Sequence, residues 1–421
     1  MDFAFSEKSL RIQEAVQSFI AAHVAPREAE YARLEEERVY PPPFLEELKA
    51  KARSEGLWNL FLPGLGPDEP GTPMSNLDYA PCAEIMGRID WASEVFNCSA
   101  PDTGNMELLH LAATPAQKER WLKPLLAGTI RSSFAMTEPD VASSDATNIR
   151  TAIARDGNDW VINGRKWFIT NAADPRTKLF IVMGQTSPDR SEPHRRQSMV
   201  LVPADAPGLM VVRNPPVMHH VHGNGHCEVL FENVRVPAEN LLGEEGGGFA
   251  LAQARLGPGR IHHCMRAIGA AERALELMVA RALERRTFGQ MLHEHGTIRE
   301  WIALSRIELE QARLLVFKTA WLIDQFGTKA ARREVSLIKV IVPRIEVAIA
   351  NRAMQVFGAK GLTQDTPLPD IWTHGRYLQI VDGPDEVHLR SIARAEVRAM
   401  EKKLGKTRER NIVTATPEAP P

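Results

Sequence analysis

Asp382 is the residue of this sequence whose type and setting best suit a general base. It follows the apolar pair Ile380-Val381 and precedes Gly383-Pro384, where the chain must turn. Burial in an apolar environment would raise the pKa of such a carboxyl from about 3.9 towards the range in which it can take a proton from carbon. The alternative role is structural, because an Asp at this place can cap the helix that we expect to begin near Glu386.

A second group of candidate residues lies between Phe134 and Asp145. Small residues and hydroxyls follow a short apolar run here, so backbone N–H groups and Ser or Thr oxygens could hold a polar ligand. A surface turn with local hydrogen bonds would use the same residue types. Further on, Phe168 and Thr170 stand two residues apart in a β-rich run. We expect them to face the same side of a strand, where they offer an aromatic wall and a hydroxyl.

Three sections of the chain must position these residues. Helical periodicity runs from Glu7 to about Gly128, short β-rich runs with polar turns follow to about Val236, and helical periodicity returns from Gly246. Short strands without intervening helices predict an antiparallel barrel or sandwich. The predicted fold class is therefore α+β: an N-terminal helical domain at 1–129, a middle β domain at 130–242, a C-terminal four-helix bundle at 243–410 and a disordered tail at 411–421.

Local signals add three expectations about these elements. Asn163-Gly164 lies between two β-rich runs, which is typical of a hairpin turn. Gly257-Pro258-Gly259 is expected to interrupt the first long helix of the last section. Pro343, within a later apolar seam, predicts a kink.

Composition limits the classes of partner and compartment. The net charge of -2 and the 44% apolar content do not indicate a basic surface that would bind nucleic acid or an anionic membrane. No apolar run is long enough to span a membrane, and the N-terminus lacks the apolar segment of a secretory signal. Four scattered cysteines fit a reducing, cytoplasmic setting. The four histidines at 218–226 lack acidic or Cys ligands at a diagnostic spacing, so we expect no metal.

A series of motifs in a fixed order gives the chain a family resemblance. They are Thr137-Glu-Pro139 with Ser144-Asp145, Asn163-Gly-x-Lys166 with Ile169-Thr170-Asn171, Asn240-Leu-Leu-Gly243, Arg285-Arg-Thr-Phe-Gly289 and Gln355-Val-Phe-Gly358. With these motifs in this order, the chain resembles the acyl-CoA dehydrogenases. The stretches at 135–145 and 257–263 resemble more closely the branch that includes long-chain enzymes fused, in animals, to kinase-like domains. Nothing kinase-like is present in this sequence.

The resemblance implies FAD as cofactor and assigns residues to it. The flavin ring is expected to be lined by Phe134, Met136, Thr137, Phe168 and Thr170, with the Thr170 hydroxyl directed to N5, the atom that receives hydride.

Further cofactor contacts are implied along the chain. Ser144 matches a residue near the pyrophosphate and the thioester arm of CoA. Contacts from a neighbouring subunit are implied for Arg285, Thr287 and Phe288, so the active form is expected to be a homodimer or homotetramer. The remaining implied cofactor positions are Leu292, His295, Gln355, Gly358 and Glu386.

Asp382 falls where the family has its catalytic carboxylate, usually a Glu followed by Gly-Thr. The resemblance implies that Asp382 takes the α-proton of an acyl-CoA thioester while the β-hydrogen leaves as hydride to flavin N5, which gives a trans-2-enoyl-CoA. Substrate contacts are implied for Ser144, Arg260, Val381 and Gly383. The implied electron acceptor is an electron-transferring flavoprotein.

Two departures from the family pattern concern this same stretch. Asp is one methylene shorter than Glu, and a displacement of about 1 Å can cost a hundredfold in rate. Pro384 stands where the family has Thr. A base on the helix near Arg260, used by some members, finds no acid here because Gly259 precedes that arginine.

Other functions on the same fold give different expectations. An Asp base also fits a flavin nitroalkane oxidase, which deprotonates a smaller acidic C–H substrate. A DNA-binding alkylation-response flavoprotein should carry a basic face, and the cluster Lys402, Lys403, Lys406, Arg408 and Arg410 is too small for that. A non-catalytic FAD scaffold would not be expected to keep the flavin-side residues.

Overall fold

The computed structural model describes residues 4–220 and 223–405. The expected tail at 411–421 and His222 of the histidine-rich loop lie outside the described residues.

The first section is helical, as its periodicity predicts. Its first helix begins after Ser6, whose hydroxyl accepts a hydrogen bond from the backbone N–H of Ser9. Ser75 caps a later helix in the same way. The helices are α1 (Glu7–Phe19), α2 (Glu28–Glu36), α3 (Leu45–Ser54), α4 (Asn76–Gly87), α5 (Ala92–Val95), α6 (Asp102–Ala112), α7 (Pro115–Gln117) and α8 (Lys123–Leu126).

The middle section forms one sheet in the order β6-β7-β3-β2-β4-β5-β8, with β1 paired to β4. Its strands are β1 (Arg131–Ala135), β2 (Ala152–Asp156), β3 (Asp159–Thr170), β4 (Thr177–Gln185), β5 (Gln197–Pro203), β6 (Leu209–Arg213), β7 (His226–Pro237) and β8 (Leu241–Leu242). Most pairs are antiparallel, but β1 and β2 both run parallel to β4. The sheet is therefore mixed, and the expectation of purely antiparallel pairing was wrong.

The predicted hairpin at Asn163-Gly164 was also wrong. These residues lie inside β3, at a register irregularity where β3 pairs with β7. A Cβ on Gly164 would come within 2.8 Å of the Thr151 backbone, so the glycine permits close strand approach instead of a turn. The hairpin lies earlier, where Asp156 of β2 pairs with Asp159 of β3 around Gly157, whose φ is +60°.

The last section returns to helices. Its elements are α9 (Gly248–Glu284), β9 (Arg286–Thr287), β10 (Gln290–Met291), α10 (Gly296–Phe326), α11 (Arg332–Phe357), α12 (Leu368–Leu378) and α13 (Asp385–Lys403). Helices α9, α10 and α11 pack on one another, and α12 and α13 pack on α11. Short 3₁₀ or π segments occur along the chain at Ile20–Val24, Ala25–Arg27, Lys118–Leu122, Ala146–Asn148, Pro193–Arg195, Ala238–Asn240, Leu292–Glu294 and Gly358–Leu362.

Gly257-Pro258-Gly259 does not interrupt α9, which corrects the expectation from the sequence. The reason is tertiary packing, because α9 lies against α4, α10 and α11 along its length. Gly257 allows Thr328 to pack closely against α9, because a Cβ at position 257 would lie 2.4 Å from the Thr328 methyl. Pro343 lies inside the continuous helix α11, and the predicted kink at this residue stays a prediction.

Two apolar clusters lie on opposite faces of the sheet. Strand β4 shows the alternation directly, since Leu179 and Ile181 belong to the large cluster that also contains the helices, whereas Phe180 and Val182 belong to a smaller one. Helices therefore cover one face of the sheet. Within the described ranges, no helix is long and apolar enough to cross a membrane.

Candidate active site

A cleft of about 2220 Å³ runs between the sheet and the helices of the first and last sections. Residues from all three sections line it, including α6, the loop after β1, the end of β3, α9 and the turn between α12 and α13. Ten of the predicted site residues share this lining: Phe134, Met136, Thr137, Ser144, Phe168, Thr170, Arg260, Val381, Asp382 and Gly383. The cleft therefore gathers the proposed base and the proposed flavin side from distant parts of the sequence.

Asp382 occupies the turn between α12 and α13 in a left-handed conformation, with φ of +56°. Its backbone carbonyl accepts a hydrogen bond from Arg260 Nε at 2.9 Å and lies 3.4 Å from His388 Nε2. Its side-chain Oδ2 lies 3.4 Å from His263 Nε2. The N-cap of α13 is Pro384 and receives no side-chain cap, so the helix-capping alternative for Asp382 was wrong.

The pKa of Asp382 lies below its ordinary value, contrary to the expectation that burial would raise it. Burial does act in that direction, but the electrostatic interactions with His263, Arg255, Arg260 and Lys339 outweigh it. The carboxylate is therefore ionised at neutral pH and can accept a proton.

In the same cleft, Phe168 and Thr170 both contact His226. The Phe168 ring stacks on the imidazole with centroids 5.0 Å apart, and Thr170 Oγ1 lies 3.0 Å from His226 Nδ1. The two residues face the same side, as alternate strand positions predict. Phe168 has a φ of +57° beside a register irregularity of β3, which directs this end of the strand into the cleft.

A buried ion pair supports the loop after β1. Lys166 Nζ donates to the Met136 carbonyl and to Glu138 Oε1, each at 2.8 Å. The Glu138 carboxylate also accepts from the backbone N–H groups of Arg150 and Thr151. These bonds fix Met136 and Thr137, which line the cleft.

Eight predicted cofactor residues lie outside the lining of this cleft in the single chain: Arg285, Thr287, Phe288, Leu292, His295, Gln355, Gly358 and Glu386. Thr287 and Phe288 belong to the hairpin β9–β10, where Thr287 Oγ1 lies 3.3 Å from His295 Nε2. Phe288 is 98% exposed. Gln355 and Gly358 lie at the end of α11, and Glu386 lies in the first turn of α13.

Four residues that line the cleft were not among the site residues predicted from the sequence: Glu107, Arg255, His226 and His263. Burial raises the pKa of Glu107 to about 8, although Arg255 opposes the shift. The Arg255 guanidinium lies 4.2 Å from the centre of the Phe134 ring, where it interacts with the aromatic face. His226 and His263 stood in quoted stretches, but nothing in their spacing indicated which cleft residue each would contact.

The donor set of the cleft fits a flavin. Phe134, Met136 and Phe168 supply an apolar and aromatic wall for a planar ring, and Thr137 and Thr170 supply hydroxyls for its polar edge. Within 4–220 and 223–405, no group of three or more His, Cys, Asp or Glu side chains could hold a metal ion.

Comparisons with known proteins agree with this geometry. Three family models match the chain: the N-terminal domain of acyl-CoA dehydrogenase at residues 6–129, the middle domain at 133–234 and the C-terminal domain at 246–397. The resemblance inferred from the motifs and the fold class predicted from the periodicity are confirmed.

Individual relatives support the same branch. Over 402 residues the chain is 55% identical to "Probable acyl-CoA dehydrogenase FadE2" of Mycobacterium tuberculosis, covering 94% of this chain and 97% of that protein. It is 50% identical to acyl-CoA dehydrogenase family member 11 of Gallus gallus, covering 96% of this chain but only 52% of that protein. The chain thus spans about half the length of this animal relative.

A solved structure also superposes closely. It is a candidate acyl-CoA dehydrogenase from Mycobacterium abscessus, 47% identical, with a TM-score of 0.91 and coverage of 94% of this chain and 100% of that chain. The chain belongs to the acyl-CoA dehydrogenase family of FAD-dependent oxidoreductases.

Proposed function

We propose that this protein oxidises acyl-CoA thioesters to trans-2-enoyl-CoA, as in fatty-acid β-oxidation, with Asp382 as the base. The observation that carries the proposal is the placement of an ionised Asp382 in the same cleft as Phe168 and Thr170. FAD, when bound, supplies the acceptor for the hydride that leaves the β-carbon. The chain's own residues then have three tasks: to remove the α-proton, to orient the thioester and to exclude water.

Proton removal falls to the Asp382 carboxylate. Its low pKa in the free protein makes it a weak base towards carbon, so the thioester must become more acidic for the transfer to proceed. We assign the Asp382 backbone N–H to the thioester carbonyl, where negative charge develops as the proton leaves. An acyl chain that fills the cleft displaces water, which strengthens this interaction and moves the carboxylate pKa upward.

Orientation of the reactants falls to residues on both walls. Arg260 holds the carbonyl of Asp382 and so fixes the turn that presents the carboxylate. We place Val381 and Gly383 beside the thioester and Ser144 beside the CoA arm. Phe134, Met136, Thr137, Phe168 and Thr170 would hold the flavin ring, with the Thr170 hydroxyl at its N5 edge.

A second subunit completes the cofactor site in this proposal. Phe288 is 98% exposed on the hairpin β9–β10 and lines no part of the chain's own cleft. An exposed aromatic side chain at a hairpin tip is suited to contact a partner. We assign Arg285, Thr287, Phe288, Leu292 and His295 to the FAD of a neighbouring subunit, and Gln355, Gly358 and Glu386 to further contacts, in a homodimer or homotetramer.

We further propose that an electron-transferring flavoprotein accepts the electrons and that the enzyme is cytoplasmic. The four free, buried cysteines fit a reducing compartment. We also propose domain limits at 129 and 242, and residues from all three sections line the cleft.

The test is anaerobic bleaching of the flavin by acyl-CoAs from C4 to C22, with a nitroalkane as the competing substrate. Bleaching by one range of acyl-CoAs, and none by the nitroalkane, supports the proposal. Bleaching by the nitroalkane alone would assign the site to a nitroalkane oxidase.

A further inference from the structure

His263 is a second titratable residue at the proposed base. It lies on α9, whereas Asp382 lies in the turn between α12 and α13, and His263 Nε2 is 3.4 Å from Asp382 Oδ2. The two side chains are only 19% and 18% exposed. Their contact therefore joins two elements at the point where the carboxylate must be aimed.

The hydrogen-bond partners of His263 determine which ring nitrogen carries the proton. Arg266 Nη2 lies 3.3 Å from His263 Nδ1. A guanidinium can only donate hydrogen bonds, so Nδ1 must be the acceptor. Burial, together with Arg266, lowers the pKa of His263 to about 3 despite the opposing charge of Asp382, and the ring is neutral at pH 7. A neutral ring that accepts at Nδ1 carries its hydrogen on Nε2, the atom that faces the carboxylate.

Arg266 is itself held in place. It is buried, and its Nη1 donates to the backbone carbonyl of Cys98 at 3.2 Å. Arg266 therefore donates to the Cys98 carbonyl and to His263 Nδ1, and His263 Nε2 lies 3.4 Å from Asp382 Oδ2. One end of this chain of contacts is fixed backbone, so the imidazole has little freedom to turn away.

We propose that His263 is a positioning residue that aims the carboxylate of Asp382 through its Nε2–H and compensates for the short side chain of that base. The inference rests on the proposed role of Asp382 as the base. Arg260 and His388 hold the carbonyl of Asp382, whereas His263 holds its side chain. The turn and the carboxylate are thus fixed by separate residues.

His263 does not fit the role of the base itself. Its Nδ1 lone pair is occupied by Arg266, and Nε2 already carries a hydrogen. A proton from substrate would create an imidazolium beside the buried Arg266 and Lys339. The neighbouring charges leave Asp382 as the group that accepts.

Other charged groups around the pair stay in place when His263 is replaced. Asp382 faces Arg255 and Arg260 from α9, Lys339 from α11 and His388 from α13. Arg266, Lys339, His374 and His262 also interact electrostatically with His263. A change at His263 therefore alters its contacts with Asp382 and Arg266 and leaves the other charges in place.

The first test compares two replacements in the FAD-loaded, full-length protein. Gln at position 263 can donate from its Nε2 while its oxygen accepts from Arg266, but Leu can do neither. For His263→Leu we expect a limiting rate of flavin reduction lower by about ten- to a hundredfold, because a displaced carboxylate loses alignment, with KM for acyl-CoA little changed. The acid limb of the pH profile should move up by about one pH unit, since loss of a donor destabilises the carboxylate. His263→Gln should recover most of the rate.

Two kinetic results would overturn the proposal. One is a Leu variant with the wild-type rate and pH profile. The other is a Gln variant as slow as the Leu variant, since a loss common to both would reflect packing. If the Leu variant fails to fold, the test below, which does not use that variant, decides instead.

A second test needs no catalysis. In protein labelled with ¹⁵N-histidine, the resonances missing from His263→Gln identify the ring, and their pattern reports its tautomer. We expect a neutral, Nε2-protonated ring at pH 7 whose Nε2–H resonance moves in Asp382→Asn. An imidazolium or an Nδ1-protonated ring would overturn the inference. If no acyl-CoA reduces the flavin of the wild-type protein, the proposed function is rejected. The NMR spectrum would still test the contact between His263 and Asp382.

Discussion

Lys166 Nζ lies 2.8 Å from Glu138 Oε1, and both side chains are buried, Lys166 completely. Removal of one partner of such a pair leaves an uncompensated charge and typically costs about 3–5 kcal/mol. We therefore expect Lys166→Met to lower the free energy of unfolding by roughly this amount and to weaken FAD binding, because the Lys166 ammonium also holds the Met136 carbonyl. Chemical denaturation and FAD titration measure the two effects.

The surface provides a matched control for this pair. Lys123 and Glu119 lie at the same distance of 2.8 Å, but their side chains are 70% and 71% exposed. Lys123→Met should cost less than about 1 kcal/mol. The double variant Lys166→Met/Glu138→Gln should regain part of the loss, since it removes the unpaired charge. Equal losses for the buried and exposed lysines would show that the buried pair does not stabilise the loop.

Burial of His262 predicts an acid-sensitive fold. Both ring nitrogens lack a hydrogen-bond partner within the described part of the chain, and the ring packs edge-on against Phe61 and Tyr79. Burial lowers the pKa of His262 to about 3, with help from Arg266 and His263. The unfolded chain binds a proton at about pH 6.5 but the folded chain does not, so stability falls as pH drops below that value.

The predicted size of this effect is about 2 kcal/mol at pH 5, and His262→Leu should remove it. The measurement is the difference in unfolding free energy between pH 7.5 and pH 5, which cancels packing effects common to both. His219→Asn serves as control because His219 is exposed. A Leu variant as acid-sensitive as wild type would show that other groups cause the effect.

The exposure of Phe288 predicts that FAD retention depends on a second subunit. With 98% of the residue exposed on the hairpin β9–β10, its removal should leave the fold of the single chain intact. Phe288→Ala should weaken FAD binding about tenfold or more if the ring contacts the cofactor of a neighbour. FAD content after gel filtration measures this, with Leu10→Ala, 53% exposed on α1, as control. Unchanged FAD retention by Phe288→Ala would remove this residue from the cofactor site.

The order of helices, strands and helices could be predicted from the sequence because periodicity reports local structure. Parallel pairing of β1 with β4 could not, since it depends on contacts between distant segments. The same limit explains the errors at Asn163-Gly164 and Gly257-Pro258-Gly259. These residues suggest turns by themselves, but in the fold Gly164 and Gly257 pack closely against Thr151 and Thr328.

Asp382 as the proposed base and the proposed flavin-side residues could be predicted because motifs mark them. The lowered pKa of Asp382 could not, because Arg255 and Lys339 reach it from α9 and α11. His263 shows the difference most clearly. Its position in the sequence was visible, but its proposed role depends on Arg266 and on the placement of a turn far along the chain.

Among the carboxyl groups that line the cleft, Glu107 and Asp382 differ in their pKa values. Glu107 has a pKa of about 8 through burial and is mostly protonated at pH 7, whereas Asp382 is ionised. Each can be replaced by its amide with almost no change of shape. The contrast between Asp382→Asn and Glu107→Gln therefore tests the assignment of the base.

The decisive measurement is the rate of anaerobic flavin bleaching by the best acyl-CoA in these two variants, after each is shown to retain FAD. We expect Asp382→Asn to lower the limiting rate by at least about a hundredfold, as loss of a general base does, and Glu107→Gln to lower it by less than about tenfold. Bleaching of Asp382→Asn at the wild-type rate would contradict the assignment of Asp382 as the base.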